Sequence, residues 1–252
     1  MSTLVVIPAR LGASRLPRKP LRLLGGAPLI VRVWERVTNL GIADRCVIAT
    51  DSPEVAAATR AAGAECALTS SNHPSGTDRV AEVAARPEYA GYGVIVNVQG
   101  DEPFVSEAMV RGAADVVASG RAPLGTVAAP ATREHLTDPN IVKVVCADDG
   151  RAMYFSRSPI PWLRDAADGA LLSPVMRRHV GIYAYTPDAL AAWVALPEHP
   201  LERIERLEQL RPLAAGIAMG VAMVDEPPPI GIDTEEDLER ANAQWAHLNA
   251  GR

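Results

Sequence analysis

The most constraining feature of the sequence is a regular alternation of short β-branched segments and helical segments over roughly the first 130 residues. Such alternation predicts parallel strands joined by crossover helices, and therefore an α/β fold with a three-layer, mostly parallel sheet. The strand segments are TLVVIP, RCVIATD, AECALTS, YGVIVNVQGDEP and LGTVAAP. The helical segments are APLIVRVWERVTNL, SPEVAAATRAAG, TDRVAEVAAR and SEAMVRGAADVVAS.

The pattern changes after Asn140. The segment IVKVVCADDGRAMYFSRS predicts two antiparallel strands around the turn DDGR, and RRHVGIYAYT predicts a further strand. The segment DTEEDLERANAQWAHL predicts a terminal helix that begins at Asp233 or Thr234. The segment LERIERLEQLRPL predicts one amphipathic helix with these apolar residues on one side: Leu201, Ile204, Leu207 and Leu210.

A chain of 252 residues suits one large domain, or one domain with a sub-domain. Its net charge of −5 and pI near 5.6 argue against a surface that binds nucleic acid. The apolar stretches are too short for a signal peptide or a membrane span. The cysteines form no CxxC pair and indicate buried, reduced thiols: Cys46, Cys66 and Cys146. We therefore expect a soluble, cytoplasmic protein that binds neither nucleic acid nor a membrane.

A strongly basic loop follows the first predicted strand of this acidic chain, in VVIPARLGASRLPRKPL, and no acidic residue precedes Glu35. Its basic residues are Arg10, Arg15, Arg18, Lys19 and Arg22. Because ligands of open parallel sheets collect beyond the carboxyl ends of the strands, the loop predicts a phosphate site more strongly than a solvated surface. The motifs GxxxxGK[ST] and GxGxxG are absent from the sequence, which argues against a P-loop NTPase or a Rossmann dehydrogenase.

Acidic residues follow another predicted strand, in VIVNVQGDEP, where Asp101 and Glu102 come after a glycine. Facing a basic loop, such carboxylates can hold Mg²⁺ against phosphates, whereas the alternative is a turn that ends the strand. Asp233 is either the N-cap of the terminal helix or a second metal ligand, and the residue pattern alone favours the cap.

Two further segments carry polar groups at predicted element ends. In SGTDR, Ser75 and Asp78 fit a capping box, and a helix N-terminus also suits an anion or a base edge. His179 lies beside two arginines in RRHVGIY, a place where an anionic substrate could bind.

These segments occur in an order that resembles the CMP-Kdo synthetases, the 3-deoxy-manno-octulosonate (Kdo) cytidylyltransferases. The resemblance runs from about residue 2 to residue 245. The opening loop is similar to the wider nucleotidyltransferase family, whereas YFSRSPIPW together with LEQLR is much more specific to the Kdo enzymes. The segments that carry it are VVIPARLGASRLPRKPL, SGTDRVAEVA, VNVQGDEP, NIVKVV, YFSRSPIPW, RHVGIYAY, LERIERLEQLR and GIDTEEDLERA.

The resemblance implies a reaction in which CTP and Kdo give CMP-Kdo and pyrophosphate, with Mg²⁺, for lipopolysaccharide biosynthesis. The anomeric 2-hydroxyl of Kdo attacks the α-phosphorus in line, so a covalent nucleophile is not needed. It also implies a homodimer with the region MYFSRSPIPW to RHVGIYAY near the partner. Residues 1–252 then form a single nucleotidyltransferase domain, with a nucleotide-binding core at about 1–130 and 210–252. Residues of about 140–210 form an antiparallel sub-domain for sugar binding and dimerisation.

The same resemblance implies site residues by matching position. The catalytic residues are Arg10, Lys19, Asp101 and Asp233. The CTP-binding residues are Ala9, Arg10, Arg15, Lys19, Ser75, Thr77 and Gln99. The sugar-binding residues are Gln99, Arg157, Arg164, His179, Tyr183, Glu208 and Gln209. The Mg²⁺ ligands are Asp101 and Asp233, which overturns the cap preference for Asp233.

One position departs from the family pattern, since Arg18 stands where glycine is common. It either strengthens triphosphate binding or points outward. Alternative substrates are 8-amino-Kdo, another 2-keto-3-deoxy sugar acid, or a nine-carbon relative. Alternatives from other classes are a catalytically silent binding protein and a nucleic-acid-binding module, and the low aromatic content of 4% argues against the latter.

Overall fold

The computed structural model describes residues 1–12, 15–229 and 231–249, and the chain divides into two compact units. The first unit contains residues 2–107 and 229–252, and the second contains residues 108–228 together with Met1. The sequence placed the corresponding changes near residues 130–140 and 210, so the second unit extends further at both ends than the predicted sub-domain.

The first unit contains a parallel sheet of order β6-β1-β4-β5. Its elements up to residue 107 are β1 (Thr3–Ala9), β2 (Leu23–Leu24), β3 (Ala27–Pro28), α1 (Leu29–Asn39), β4 (Arg45–Thr50), α2 (Pro53–Ala61), β5 (Glu65–Leu68), α3 (Gly76–Ala84) and β6 (Val94–Asn97). The chain moves from β1 to β4 and β5, then returns across the sheet to β6. Right-handed crossovers therefore place α1 and α2 on one face and α3 on the other. The order reverses beside β1, and ligands of such sheets bind at the carboxyl ends of the strands next to that point.

Burial explains why the strands of this sheet could be predicted. Leu4, Val5, Val6 and Ile7 of β1 are all fully buried, which is typical of a parallel strand covered on both faces. The start of α2 also follows the sequence, since the Ser52 hydroxyl accepts a hydrogen bond from the amide of Val55 at 3.3 Å.

The second unit contains a mixed sheet of order β11-β7-β10-β8-β9, in which β11 is parallel to β7 and the other neighbours are antiparallel. Its elements are α4 (Glu107–Ala118), β7 (Leu124–Pro130), α5 (Arg133–Thr137), β8 (Lys143–Cys146), β9 (Ala152–Ser156), α6 (Gly169–Leu172), β10 (Arg177–Tyr185), α7 (Pro187–Ala195), α8 (Pro200–Glu205), α9 (Leu210–Ala214) and β11 (Met219–Met223). Strands β8 and β9 are the predicted pair around DDGR. The predicted fold class, a mostly parallel α/β sheet with an antiparallel part, is confirmed.

The prediction of one amphipathic helix over LERIERLEQLRPL is wrong. Arg206 has a left-handed backbone with φ of +54° and separates α8 from α9. Leu207 and Leu210 are buried, but Ile204 is 78% exposed, so the apolar residues do not share one helix face. The two short helices are instead joined by a buried, bidentate ion pair between Arg211 and Glu202 at 2.6 and 2.7 Å.

The last helix, α10 (Glu235–Asn249), belongs to the first unit and begins with a reciprocal cap. The Thr234 hydroxyl accepts from the amide of Asp237, and the Asp237 carboxylate accepts from the amide of Thr234. Of the two predicted starting residues, Thr234 is therefore the cap. The side chain of Asp233 is left for other contacts.

Two expectations about the rest of the chain are also tested. Cys46, Cys66 and Cys146 are free thiols, as predicted, but each is only partly buried. Within the described residues, the helices are too short or too polar to cross a membrane.

Candidate active site

Loops from separate parts of the first unit meet at the carboxyl end of β1. A Cβ atom added to Gly76, the first residue of α3, would lie 3.4 Å from the Pro8 ring. A Cβ atom added to Gly100, after β6, would lie 2.7 Å from the Pro8 carbonyl oxygen, closer than real Cβ contacts come. The SGT and QGD turns therefore both pack against Pro8, directly before Ala9 and Arg10. This is the sheet edge at which the sequence predicted a ligand.

An ammonium group joins the two carboxylates that the sequence singled out. Lys19 Nζ donates to Asp101 Oδ2 at 2.6 Å and to Asp233 Oδ1 at 2.9 Å. Arg15 donates to the other oxygen of Asp233 at 3.0 Å. A backbone bond from Ile232 N to Asp101 O at 3.0 Å holds the segment before α10 beside the QGD turn. The structure thus brings together Arg15, Lys19, Asp101 and Asp233 from three distant parts of the chain.

The electrostatics of this cluster follow from its charges. Burial disfavours the ammonium of Lys19, but the pairs with Asp101 and Asp233 outweigh it and raise the pKa of Lys19 above its ordinary value. Burial, and secondarily the charge of Asp101, raise the pKa of Glu102 to about 8. Glu102 is therefore mostly protonated at neutral pH, and it adds little negative charge beside Asp101.

The carboxylates of Asp101 and Asp233 fit a divalent cation that is completed by a substrate. Both already bind one cationic nitrogen, so a single positive centre can serve both. In the described part of the chain, His, Cys, Asp and Glu side chains form no group of three or more that could hold a metal. Mg²⁺ commonly takes one or two protein carboxylates and completes its shell with water and phosphate oxygens. Two carboxylates beside a predicted phosphate loop match that requirement.

The other residues that were predicted to bind the nucleotide lie at the same edge but have different neighbours. Ser75 caps α3, as predicted, by accepting from the amides of Thr77 and Asp78, and its hydroxyl donates to the Asp78 carboxylate at 2.6 Å. Thr77 is buried, Arg10 is exposed, and Ala9 ends β1. Gln99 begins the turn after β6 and is half-buried.

The basic residue that departs from the family pattern has a defined position. Arg18 has a left-handed backbone with φ of +59°, a conformation that glycine adopts without cost. Its guanidinium forms an ion pair with Glu54 in the first turn of α2. Arg22 pairs with Glu235 at the start of α10. The side chains of Arg18 and Arg22 therefore join the loop to neighbouring helices rather than to the two carboxylates.

In the second unit, His179 is a neutral ring held by a β-bulge. The pairing of β10 with β7 shifts register between Val180 and Tyr183. The Thr126 hydroxyl fills the bulge by donating to Ile182 O at 2.8 Å, so it accepts from His179 Nε2 at 2.9 Å. The rings of Phe155 and Tyr183 flank the imidazole at 5.0 and 5.4 Å, and burial lowers the pKa of His179 to about 3. Such a ring can exchange hydrogen bonds with sugar hydroxyls, but it brings no charge to a carboxylate.

The guanidinium and the amide of Arg157 form hydrogen bonds with other residues of the second unit. Its guanidinium donates to the carbonyl oxygens of Glu205 at 2.8 Å and Pro139 at 2.9 Å, and its amide donates to the Glu205 carboxylate. Arg164 is exposed and lies outside this group. Gln209 is buried and immediately precedes α9, with Glu208 before it.

The structure also shows polar residues that sequence reasoning missed. Lys143 is fully buried in β8, and Arg79 is buried beside Asp51 and Thr69 at the carboxyl ends of β4 and β5. Thr126 lies within the predicted strand LGTVAAP, and the residue pattern of that strand does not predict its contacts at the bulge. A charged residue inside an apolar run, as in IVKVV, is the one signal that was available for Lys143.

Comparison with known proteins identifies the family of the chain. A family model described as Cytidylyltransferase matches residues 4–219. A 3-deoxy-manno-octulosonate cytidylyltransferase from Gemmatimonas aurantiaca is 60% identical over 250 residues, which is 99% of this chain and 96% of the relative. One from Polynucleobacter necessarius is 47% identical over 239 residues, which is 94% of this chain and 93% of the relative. A solved structure of CMP:2-keto-3-deoxy-manno-octonic acid synthetase complexed with CTP has a TM-score of 0.88 and 36% identity, and the match covers 98% of this chain and 100% of that one. The chain therefore belongs to the cytidylyltransferase family, in the group of the 3-deoxy-manno-octulosonate cytidylyltransferases.

Proposed function

We propose that this chain transfers CMP from CTP to the anomeric 2-hydroxyl of Kdo and releases pyrophosphate, which supplies CMP-Kdo for lipopolysaccharide biosynthesis. The geometric observation that carries the proposal is the contact of Lys19 with Asp101 and Asp233 beside the loop after β1. The names of the relatives supply the two substrates.

The chain's own residues would act by binding and by neutralising charge. Arg10 and Arg15 would donate to triphosphate oxygens, and Lys19 would stabilise the charge that develops on the leaving pyrophosphate. Arg157, Arg164, His179, Tyr183, Glu208 and Gln209 would orient the sugar acid, and Gln99 would contact it at the reacting end. Catalysis then consists of positioning and electrostatic stabilisation, since the in-line reaction needs no covalent intermediate.

The proposed cofactor is Mg²⁺, with Asp101 and Asp233 as its ligands. When bound, it would neutralise phosphate charge and lower the pKa of the sugar hydroxyl. Because these carboxylates now bind Lys19, a cation on them leaves the ammonium of Lys19 free to donate to phosphate oxygens. In this proposal the two carboxylates bind the metal, and Lys19 binds the phosphates of the nucleotide.

We also propose a homodimer in the cytoplasm. In the segment MYFSRSPIPW, Met153 is 61% exposed and Trp162 is 77% exposed, which is unusual for large apolar side chains of a monomer. Free thiols suit a reducing compartment. Sedimentation equilibrium of the purified chain at micromolar concentration tests the dimer, and a mass of one chain would contradict it.

The function is tested by pyrophosphate release from the purified protein with each of the four NTPs. The sugar acids are Kdo, 8-amino-Kdo and sialic acid, with Mg²⁺ present. We expect release with CTP and Kdo. A preference for 8-amino-Kdo would transfer the proposal to that substrate, and release with none of the sugars would favour a silent binding protein.

The metal assignment is tested by Asp101→Asn, which keeps the shape of the side chain but removes its charge. We expect turnover to be abolished with the fold intact, as judged by thermal unfolding. The matched control is Asp149→Asn, which breaks an exposed pair with Arg151 in the second unit and leaves turnover unchanged. Full activity of Asp101→Asn would contradict the assignment of Asp101 to the metal.

A further inference from the structure

Lys143 is a fully buried lysine in the second unit. It is 0% exposed and begins β8. A buried ammonium is unfavourable unless each of its three N–H groups finds an acceptor. Burial lowers the pKa of Lys143, and the nearby charge of Arg157 lowers it further, while Asp138 and Glu205 act in the opposite direction. Because burial of an ammonium group is unfavourable, we expect Lys143 to have a specific structural or functional role.

The acceptors of Lys143 are backbone carbonyl oxygens on two separate segments. Its ammonium donates to Asp138 O at 2.9 Å, to Ile141 O at 2.7 Å and to Arg157 O at 2.6 Å. Three acceptors match the three N–H groups of the charged form, whereas a neutral amine has only two. The ammonium therefore holds residues 138–141, which precede β8, against the residue that follows β9.

Two of the predicted sugar-binding residues, Arg157 and His179, directly follow the strand residues that pair with Lys143. In the antiparallel ladder, Lys143 pairs with Ser156 of β9 on one side and with Arg178 of β10 on the other. Arg157 directly follows Ser156 at the end of β9, and His179 is the next residue of β10 after Arg178. Lys143 thus pairs with the residue directly before Arg157 and with the residue directly before His179.

The segment held by Lys143 contacts both of these residues. Arg157 donates from its guanidinium to Pro139 O at 2.9 Å. His179 N donates to Val142 O at 2.8 Å. Loss of the ammonium would remove one donor from each of the three carbonyl oxygens, and Asp138 O would keep only its bond from the amide of Ile141. Residues 138–142 would then shift together with their contacts to Arg157 and His179.

We propose that Lys143 is a positioning residue for the sugar acid, and that its three carbonyl contacts fix Arg157 and His179 in the orientation that binds the substrate. Lys143 itself does not touch the substrate. The proposal rests on the proposed function, because Arg157 and His179 are two of the sugar contacts of that function.

The test is Lys143→Met, which keeps the length and apolar stem of the side chain but removes its donors. We expect the KM for Kdo to rise about tenfold or more, as for a lost hydrogen bond to a charged ligand, while the KM for CTP changes less than about twofold. The matched control is Val144→Ala, a buried neighbour in β8 whose side chain has no hydrogen-bond donor for the three carbonyls. It should lose stability with both KM values unchanged. An unchanged KM for Kdo in Lys143→Met, or an equal rise in both KM values, would overturn the proposal.

A second variant and a wild-type measurement keep the test valid if Lys143→Met does not fold. Lys143→Gln keeps two donors and should give a smaller rise in the KM for Kdo than Lys143→Met. A KM for Kdo equal to that of the wild type would count against the proposal.

In the wild type, we expect slow hydrogen exchange at the amides of residues 140–142 and 157. Fast exchange there would show that the ammonium does not hold these segments, whatever reaction the protein performs. Absence of CTP- and Kdo-dependent turnover in the wild type would instead overturn the proposed function.

Discussion

At the scale of single residues, the candidate site depends on which residue caps α10 and on a glycine that lets two backbone segments pack closely. Thr234 caps α10, so the carboxylate of Asp233 can pair with Lys19 and Arg15. Gly100 lets the turn that carries Asp101 pack on the end of β1. Sequence patterning favoured Asp233 as the cap, because an aspartate before a helical run is a good cap and the competing threonine follows it directly.

Gly100→Ala should lower turnover by about 100-fold, because the added Cβ would meet the Pro8 carbonyl oxygen and move Asp101 away from Lys19. The free energy of unfolding should fall by about 1–3 kcal/mol, the usual cost of overpacking. Steady-state turnover and urea unfolding measure the two effects. The control is Gly91→Ala, which has open space around the new methyl group and should match the wild type. Wild-type turnover in Gly100→Ala would mean that the turn is not held against β1.

At the scale of elements, the sequence predicted those strands whose burial appears as an apolar pattern. It failed where the backbone conformation of a single residue determines where a helix ends. The strand over Leu4–Ile7 is buried on both faces and is visible as an apolar run. The break at Arg206 is set by a left-handed residue that most sequence patterns do not reveal. The hairpin of β2 and β3 was also missed, because its two-residue strands are too short to show any period.

The hairpin is held by α10 through contacts that give Gly25 a specific role. Gly25 N donates to the Asn242 side chain at 2.9 Å, and the ring of Trp245 lies where a Cβ of Gly25 would be, at 2.2 Å. The Arg32 guanidinium lies over the same ring, 4.5 Å from its centroid. Position 25 therefore combines a left-handed backbone, with φ of +53°, and a close approach to an aromatic ring.

Gly25→Ala should destabilise the protein more than Gly26→Ala. Both positions have positive φ, which costs alanine about 1–2 kcal/mol, but only the methyl group at position 25 would strike Trp245. The difference in the free energy of unfolding between the two variants should be about 1–3 kcal/mol. Urea unfolding of both variants measures it. Equal losses would mean that Trp245 does not pack on the hairpin.

At the scale of the whole molecule, the residues of the candidate site come from distant parts of the chain, and this limits what a sequence can show. The pairs of Lys19 with Asp101 and with Asp233 join residues separated by 82 and 214 positions. Residue type suggested a cation loop and a metal site, but only the sheet order shows that they share one edge. The neutral state of His179 likewise depends on its burial in the folded chain, which no local pattern reveals.

Two buried groups give the stability of the metal-free protein opposite dependences on pH. Burial lowers the pKa of His179 from 6.5 to about 3, so the folded chain binds fewer protons there, and stability falls as pH decreases below 6.5. Burial raises the pKa of Glu102 from 4.5 to about 8, so the folded chain binds more protons there, and stability falls as pH rises above 4.5. Between pH 5 and 6.5 the two effects oppose each other. The pKa of Glu82 is lowered to about 2, so its effect appears only below its ordinary value of 4.5.

His179→Gln removes one of the two opposing groups and should change the slope of stability with pH. We expect the free energy of unfolding of the wild type to vary little between pH 5 and 6.5. That of His179→Gln should rise as pH decreases, by up to about 1.4 kcal/mol per pH unit. Glu102→Gln should show the opposite slope, because only His179 then remains. Urea unfolding at half-unit pH steps, without nucleotide or metal, measures all three chains. Parallel curves for wild type and His179→Gln would contradict a neutral His179, because a ring that titrates equally in both states adds no slope.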